Sequence, residues 1–132
     1  MPRFTQSVAM VPAGDFERAK SWYADSLGLK PTEEIGDQGA YYEVGPSRFM
    51  LYPSRFAGTN EANTIAFEVE DVEATVAELR EQGIEFMEYD FPGLTTVDGV
   101  ATLEGAGRTL KSAWCKDSEG NIIAIGNAWN TD

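Results

Sequence analysis

Any chemistry in this chain has to be done without imidazole. The 132 residues include no histidine, which removes the commonest general base and the commonest metal ligand together. Cys115 is the single cysteine. An intramolecular disulfide and a cysteine-cluster metal site are therefore excluded, as are Ser-His-Asp and Cys-His nucleophile systems. Cys115 itself reads as a small buried residue in a strand. Carboxylates, tyrosine hydroxyls and a few cations remain. Glu68 is the named candidate catalytic group, with a tyrosine as the alternative. It shares strand parity with Thr64, and a carboxylate turned into apolar surroundings has a raised pKa and serves as a general acid or base. The competing reading is an exposed strand-end glutamate near Asp71. Asp98 lies in a long irregular stretch and Arg108 directly follows it. They either reach a ligand there or are solvated loop charges.

Two similar segments have to position these groups. Val8 to Gly28, VAMVPAGDFERAKSWYADSLG, reads as a short buried strand, a tight entry at Gly14-Asp15 and an amphipathic helix. Asp15 is a good N-cap, Glu17 complements the helix dipole, and Phe16, Ala19, Trp22, Tyr23 and Leu27 form one stripe. Gly28 suits a left-handed C-cap, and Pro31 prevents continuation. The plan recurs from Thr64 as TIAFEVEDVEATVAELREQG, with an offset of 56 (71 − 15) between the capping aspartates. There Asp71 caps, Val72, Val76 and Leu79 make the stripe, and Gly83 closes the helix. The preceding strand, Asn63 to Val69, puts Ile65, Phe67 and Val69 on one side and Thr64, Ala66 and Glu68 on the other. A period of two followed by 3.6 marks a strand feeding a helix that packs back on its sheet. The reading is a duplicated strand–helix module; the competing one is two unrelated strand–helix pairs.

The remaining elements follow in order. Phe4 to Val11 is expected as strand, then Lys30 to Ile35. Ala40 to Val44 and Arg48 to Tyr52 form a hairpin around Gly45-Pro46-Ser47. Pro53 to Ala62 reads as a linker. Ile84 to Tyr89 is expected as strand. Phe91 to Gly107 is expected as a long irregular loop, with Val100 to Leu103 as its one pairing segment. Thr109 to Lys116, the turn KDSEGN and Asn121 to Gly126 close the chain, with a short tail after Asn127. Each module is then β-α-β-β-β, in the α+β class.

Composition bounds the partners. With 42% hydrophobic and 24% charged residues, the chain is an ordinary globular protein. Its length suits one domain, residues 1–132, with module one at 1–57 and module two at 62–128. No apolar run approaches the ~20 residues that span a bilayer, and MPRFTQSVAMVPAGD lacks the long apolar stretch of a signal peptide. A cytoplasmic location is the default. The net charge of −12 repels phosphate backbones and anionic membranes, so neither nucleic acid nor membrane is expected as a partner.

Three motifs carry a resemblance: DFERAKSWYADSLGLKP, TIAFEVEDVEATVAELREQGIEF and AWCKDSEGNIIAI. In this order they resemble the vicinal oxygen chelate superfamily of glyoxalases, extradiol dioxygenases and bleomycin and fosfomycin resistance proteins. The last is similar to that family's DPDGN turn, with Ser118 at the proline position. The resemblance covers nearly the whole chain. It implies paired βαβββ modules whose curled mixed sheets surround a central cavity.

In metal-dependent members of that family, ligands come from four strand positions. Carried over, these fall on Val8, Thr64 and Ala124, with the fourth near Met50. Val, Ala and Met supply no hard oxygen or imidazole, and a lone Thr hydroxyl is a poor ligand. No metal and no cofactor are therefore expected. The implied cavity is lined by Val8, Met10, Met50, Ala66 and Ala124, with Thr64 as a polar point and Tyr42, Tyr52 and Trp114 as aromatic walls. Alternation sets Tyr41 and Tyr42 on opposite faces, and Tyr42 is the one expected inward. The competing reading is that these side chains fill the space as core. The leading functional expectation is a metal-free small-molecule-binding protein with an apolar-aromatic ligand. Second comes a metal-free lyase or isomerase using Glu68 or a tyrosine. Third comes a metal-dependent glyoxalase or dioxygenase with displaced ligands. The resemblance also implies a homodimer.

Overall fold

The Asp15 carboxylate accepts the Arg18 backbone N–H at 3.1 Å, and an α-helix, α1 (Phe16–Leu27), starts there. It ends where Gly28 takes φ 69°, with the Gly28 N–H on the Ala24 carbonyl and the Leu29 N–H on the Tyr23 carbonyl. That is the left-handed cap expected of glycine. The computed structural model describes residues 1–105 and 107–128. They fall into two units, one of Met1–Thr59 with Ser118–Asn121, the other of Asn60–Asp117 with the residues from Ile122.

In the first unit, β1 (Ala9–Ala13) precedes α1, and β2 (Glu33–Glu34), β3 (Ala40–Val44) and β4 (Ser47–Pro53) follow it. The sheet order is β1-β4-β3-β2, with β1 parallel to β4 and the other pairs antiparallel. Val11, Ala13, Ala40, Tyr42, Phe49 and Leu51 are buried on the α1 side, together with Ala19 and Tyr23 of the helix. Tyr42 stacks on Phe49 with centroids 4.6 Å apart and planes within 5°, and Tyr23 packs 5.9 Å from Phe49. The first strand is shorter than expected and begins at Ala9 rather than Phe4. Ala9 pairs with Phe49 in parallel register and β4 itself begins at Ser47, so the first residues of the chain run past the end of their partner.

The turn Ser118–Asn121 belongs to this unit. The Asn121 amide donates to the Pro12 carbonyl at 2.7 Å and accepts the Gly58 N–H at 3.2 Å. Here glycine is required. A Cβ on Gly58 (φ 76°) would come 2.6 Å from the Glu119 carbonyl oxygen, far inside contact distance.

In the second unit, β5 (Asn63–Glu68) leads to α2 (Val72–Glu81), capped by the Asp71 carboxylate on the Ala74 N–H. Then come β6 (Asp90–Phe91), β7 (Leu94–Val97), β8 (Val100–Gly105), β9 (Arg108–Lys116) and β10 (Ile122–Gly126), in the order β5-β10-β9-β8-β7-β6. Only the β5–β10 pair is parallel. Val72 and Val76 of α2 pack with Val100 and Ala113, flanked by Val69 and Phe86.

Two expectations are corrected here. Ile84 to Tyr89 is not a strand: Phe86 makes a single bridge to Cys115, and the Met87 N–H reaches the Trp114 carbonyl. Phe91 to Gly107 is not an irregular loop. Gly93 (φ 86°) and Asp98-Gly99 (φ 52° and 81°) make turns, while Thr95 and Thr96 lie in β7 and Thr102 in β8. Asp-Gly is a favoured two-residue hairpin turn, and Thr suits a half-buried strand. The segment Val100 to Leu103, expected to pair, does so within β8.

The fold is thus mixed α+β, two helices on two mixed sheets, neither closed into a barrel. Among the described residues no helix is long and apolar enough to cross a membrane. The expected tail lies mostly at residues 129–132, outside the described ones.

Candidate functional site

Each sheet has one face against its helix and one opposite, and strand alternation sorts the candidate residues between them. On the first sheet, Met10 pairs with Met50 and Met50 with Tyr41, so the three form one cross-strand row. Tyr52 pairs with Pro12 next to it. This face lies opposite α1. Met10 is 47% exposed, and Tyr41, Met50 and Tyr52 are half-buried. Val8 lies just before β1 and is half-buried.

Tyr42 is the exception, and its placement corrects the expectation. It points to the α1 side with no exposed surface, and its stacking on Phe49 settles the parity that alternation alone left open. Its hydroxyl is buried without a hydrogen-bond partner. Burial pushes the phenol up to about 12, against a lowering by the Lys20 charge. A neutral, enclosed phenol of this kind is core, and Tyr41 takes the place on the opposite face.

Arg48 was not anticipated. It sits two residues before Met50 on β4, hence on the Met50 face, and the same alternation identifies it. Its guanidinium carbon lies 4.3 Å from the Tyr41 ring centroid. Its Nη2 is 4.0 Å from Glu33 Oε1, and its Nε–H is buried without an acceptor. Glu43 pairs with it across the strands.

On the second sheet, Ala66, Ala124 and Trp114 form a row across β5, β10 and β9. Ala113 faces α2, so this row faces away from it. Trp114 meets Tyr89 edge-on at 5.5 Å and 84°, and the Tyr89 hydroxyl reaches Met87 Sδ at 3.4 Å. Ala124 is 1% exposed. Thr64 is half-buried beside a register shift between Ile122 and Ile123. Glu68 pairs with Gly126 near the end of β5 and is exposed. The Asp98 carbonyl accepts from Arg80 Nη2 at 2.9 Å, and Arg108 donates to the Ala128 carbonyl at 3.0 Å.

The second unit also holds an open groove of about 600 Å³ on its α2 side. Val76 and Val100 form its floor, and Glu73, Arg80, Asp98 and Thr102 stand around it. Thr95, Val97, Val100 and Thr102 of its lining lie on β7 and β8.

The residues do not fit the metal that the resemblance implies. Val8, Met50, Thr64 and Ala124 offer one hydroxyl and one thioether as donors. Among the described residues, no three of His, Cys, Asp and Glu gather closely enough to hold an ion. Cys115 is buried, and burial pushes its thiol up to about 12, with Asp117 adding to the effect. It is a packed core residue.

Comparison with known proteins gives a consistent answer. The sequence model of the Glyoxalase/Bleomycin resistance protein/Dioxygenase superfamily matches residues 5–125. No curated protein matches significantly. Solved structures share the fold at low identity. Lactoylglutathione lyase from Agrobacterium tumefaciens is 16% identical, covers 98% of this chain and 99% of its own, and has a TM-score of 0.66. A glyoxalase/bleomycin resistance protein from Catenulispora acidiphila is 22% identical over 92% of this chain and 96% of its own, with a TM-score of 0.63. A virulence protein from Salmonella typhimurium is 17% identical over 96% and 98%, with a TM-score of 0.67.

Proposed function

Because the chain belongs to the glyoxalase/bleomycin resistance protein/dioxygenase superfamily, we propose that it is a metal-free member that binds a flat, apolar small molecule. The observation that carries this reading is the row Met10–Met50–Tyr41, flanked by Tyr52, on the face of the first sheet opposite α1. Apolar and aromatic side chains that are only half-buried, set side by side by strand register, make a surface for a planar ring. The second sheet has a row of its own, Ala66, Ala124 and Trp114, in which Trp114 is half-buried and Ala124 buried. Burying ~200 Å² of apolar ligand is worth about 5 kcal/mol before the costs of association, and the apolar protein surface covered at the same time adds to it, so the driving force requires no ion pair. A lyase or isomerase would use Glu68 or a tyrosine; Glu68 is exposed, which favours the binding reading.

The test is titration with N-phenyl-1-naphthylamine, a neutral probe that fluoresces in apolar surroundings. Saturable micromolar binding, unchanged by chelator, is expected. No saturable binding overturns the reading. A symmetric homodimer is part of the same proposal, and sedimentation as a monomer at high concentration would remove that part.

A further inference from the structure

Resting on that reading, we infer that the natural ligand of this face is an aromatic or apolar acid, and that Arg48 receives its oxyanion. Four observations converge on this residue. Arg48 shares a sheet face with Met10, Met50 and Tyr52. Its guanidinium lies over the Tyr41 ring at 4.3 Å. Stacking on a ring uses the flat side of the guanidinium and leaves its N–H edge for an acceptor in the plane. That edge is under-used: Nε–H is buried without an acceptor, and Glu33 stands 4.0 Å from Nη2, beyond hydrogen-bond length. A buried donor without a partner calls for an explanation, and an oxyanion set across the fork supplies one, since planar oxyanions match this edge two bonds at a time. Glu33 lies on an exposed two-residue edge strand, where a ligand anion displaces it without disturbing the core.

The surroundings make the inference specific. The chain carries a net charge of −12, and Glu33 and Glu43 stand on the same face as Arg48. General attraction of anions is therefore unfavourable here. A preference for an anion over its neutral counterpart therefore has to come from local donors, and the edge of Arg48 supplies them.

The experiment compares two probes with one ring system, 1-anilinonaphthalene-8-sulfonate and the neutral N-phenyl-1-naphthylamine, on wild type, Arg48→Met, Arg48→Lys and Glu33→Gln. Wild type is expected to bind the sulfonate more tightly. Arg48→Met should weaken the sulfonate about tenfold, as loss of a charge-assisted hydrogen bond does, and leave the neutral probe within about twofold. Arg48→Lys, which keeps the charge and fold, should fall between. Glu33→Gln, which removes the competing carboxylate, should tighten the sulfonate alone. If the neutral probe binds but Arg48→Lys and Glu33→Gln leave the sulfonate unchanged, the acid specificity is wrong while the apolar reading stands. If neither probe binds, both fall together.

Discussion

Glu119 and Arg18, 101 residues apart, form a two-pronged ion pair: Arg18 Nε donates to Oε2 at 2.9 Å and Nη2 to Oε1 at 3.1 Å. The Asp15 backbone N–H donates to Oε1 at 2.7 Å, and the Ser118 hydroxyl to Oε2 at 2.6 Å. The carboxylate thus closes the N-terminus of α1 from a turn distant in sequence. Its side chain has no exposed surface, whereas that of Arg18 is 58% exposed. Burial alone would raise the Glu119 pKa, but the bonds from Arg18, Ser118 and Asp15 outweigh it and hold the group down at about 2.

Replacing Glu119 by Ala should therefore destabilise the fold by about 1–3 kcal/mol at pH 7, the range for leaving buried donors unsatisfied. The pH dependence has a definite direction. A carboxylate whose pKa is lower folded than unfolded contributes fully above the unfolded value and loses that contribution as pH falls through the folded one. The wild type should lose its advantage over Glu119→Ala between about pH 4.5 and pH 2, measured by urea unfolding. An advantage that persists unchanged at pH 2 would contradict this account.

Tyr42 should behave in the opposite sense. Its hydroxyl is buried without a partner, so Tyr42→Phe is expected to leave stability at pH 7 unchanged or raise it by up to about 1 kcal/mol. The phenol titrates near 12 in the fold because of burial, above its ordinary value of 10. Its contribution is full below pH 10 and declines as pH rises toward 12. Alkaline thermal melts should show the wild type losing stability faster than Tyr42→Phe. Equal slopes would mean that the hydroxyl is solvated.

These residues also show what a sequence reveals and what it conceals. Asp15, Asp71 and Gly28 act through neighbours in the chain, so their roles were legible. The three-dimensional partners were not. Tyr42 alternates with Tyr41, and nothing local says which of the two meets Phe49. Glu119 sits in a turn whose partners lie in the first helix, beyond any local pattern. Residues 91–107 misled because glycine and threonine suggest a loop by composition while forming hairpins by position. Of the row Met10–Met50–Tyr41, strand alternation alone points to Met10 and Met50, and Arg48 follows from the same alternation two residues before Met50.

Gly99 tests the corrected hairpin. It takes φ 81°, and a Cβ there would lie 2.9 Å from Arg80 Nη2 and 3.0 Å from Phe86 Cβ. Gly99→Ala should cost about 1–3 kcal/mol through strain and crowding. Gly93→Ala has positive φ but open space around it, so it should cost less. Equal losses in chemical denaturation would show that the β7–β8 turn is not packed against Arg80 and Phe86.

Metal content is a separate test. Val8, Met50, Thr64 and Ala124 supply no carboxylate or imidazole, so tag-free protein is expected to carry no stoichiometric zinc, iron, nickel or manganese by elemental analysis. Adding these ions should leave N-phenyl-1-naphthylamine binding unchanged. One bound transition metal per chain would overturn the expectation.

The sharpest test of the site uses two neighbouring residues. Phe49 and Met50 are adjacent on β4 yet point to opposite faces. Phe49 is 2% exposed and stacks on Tyr42, whereas Met50 is half-buried in the row with Met10 and Tyr41. The same substitution should therefore have different consequences. Phe49→Asp puts a charge into the α1 core and should cost at least about 3–5 kcal/mol, the range for truncating a buried Phe, or prevent folding. Met50→Asp should melt within about 5 °C of wild type but bind N-phenyl-1-naphthylamine at least about tenfold more weakly, because a carboxylate and its water now occupy the apolar row. Thermal melts and probe titrations on both variants decide the matter. If Met50→Asp binds like wild type while folded, the row opposite α1 is not the ligand surface.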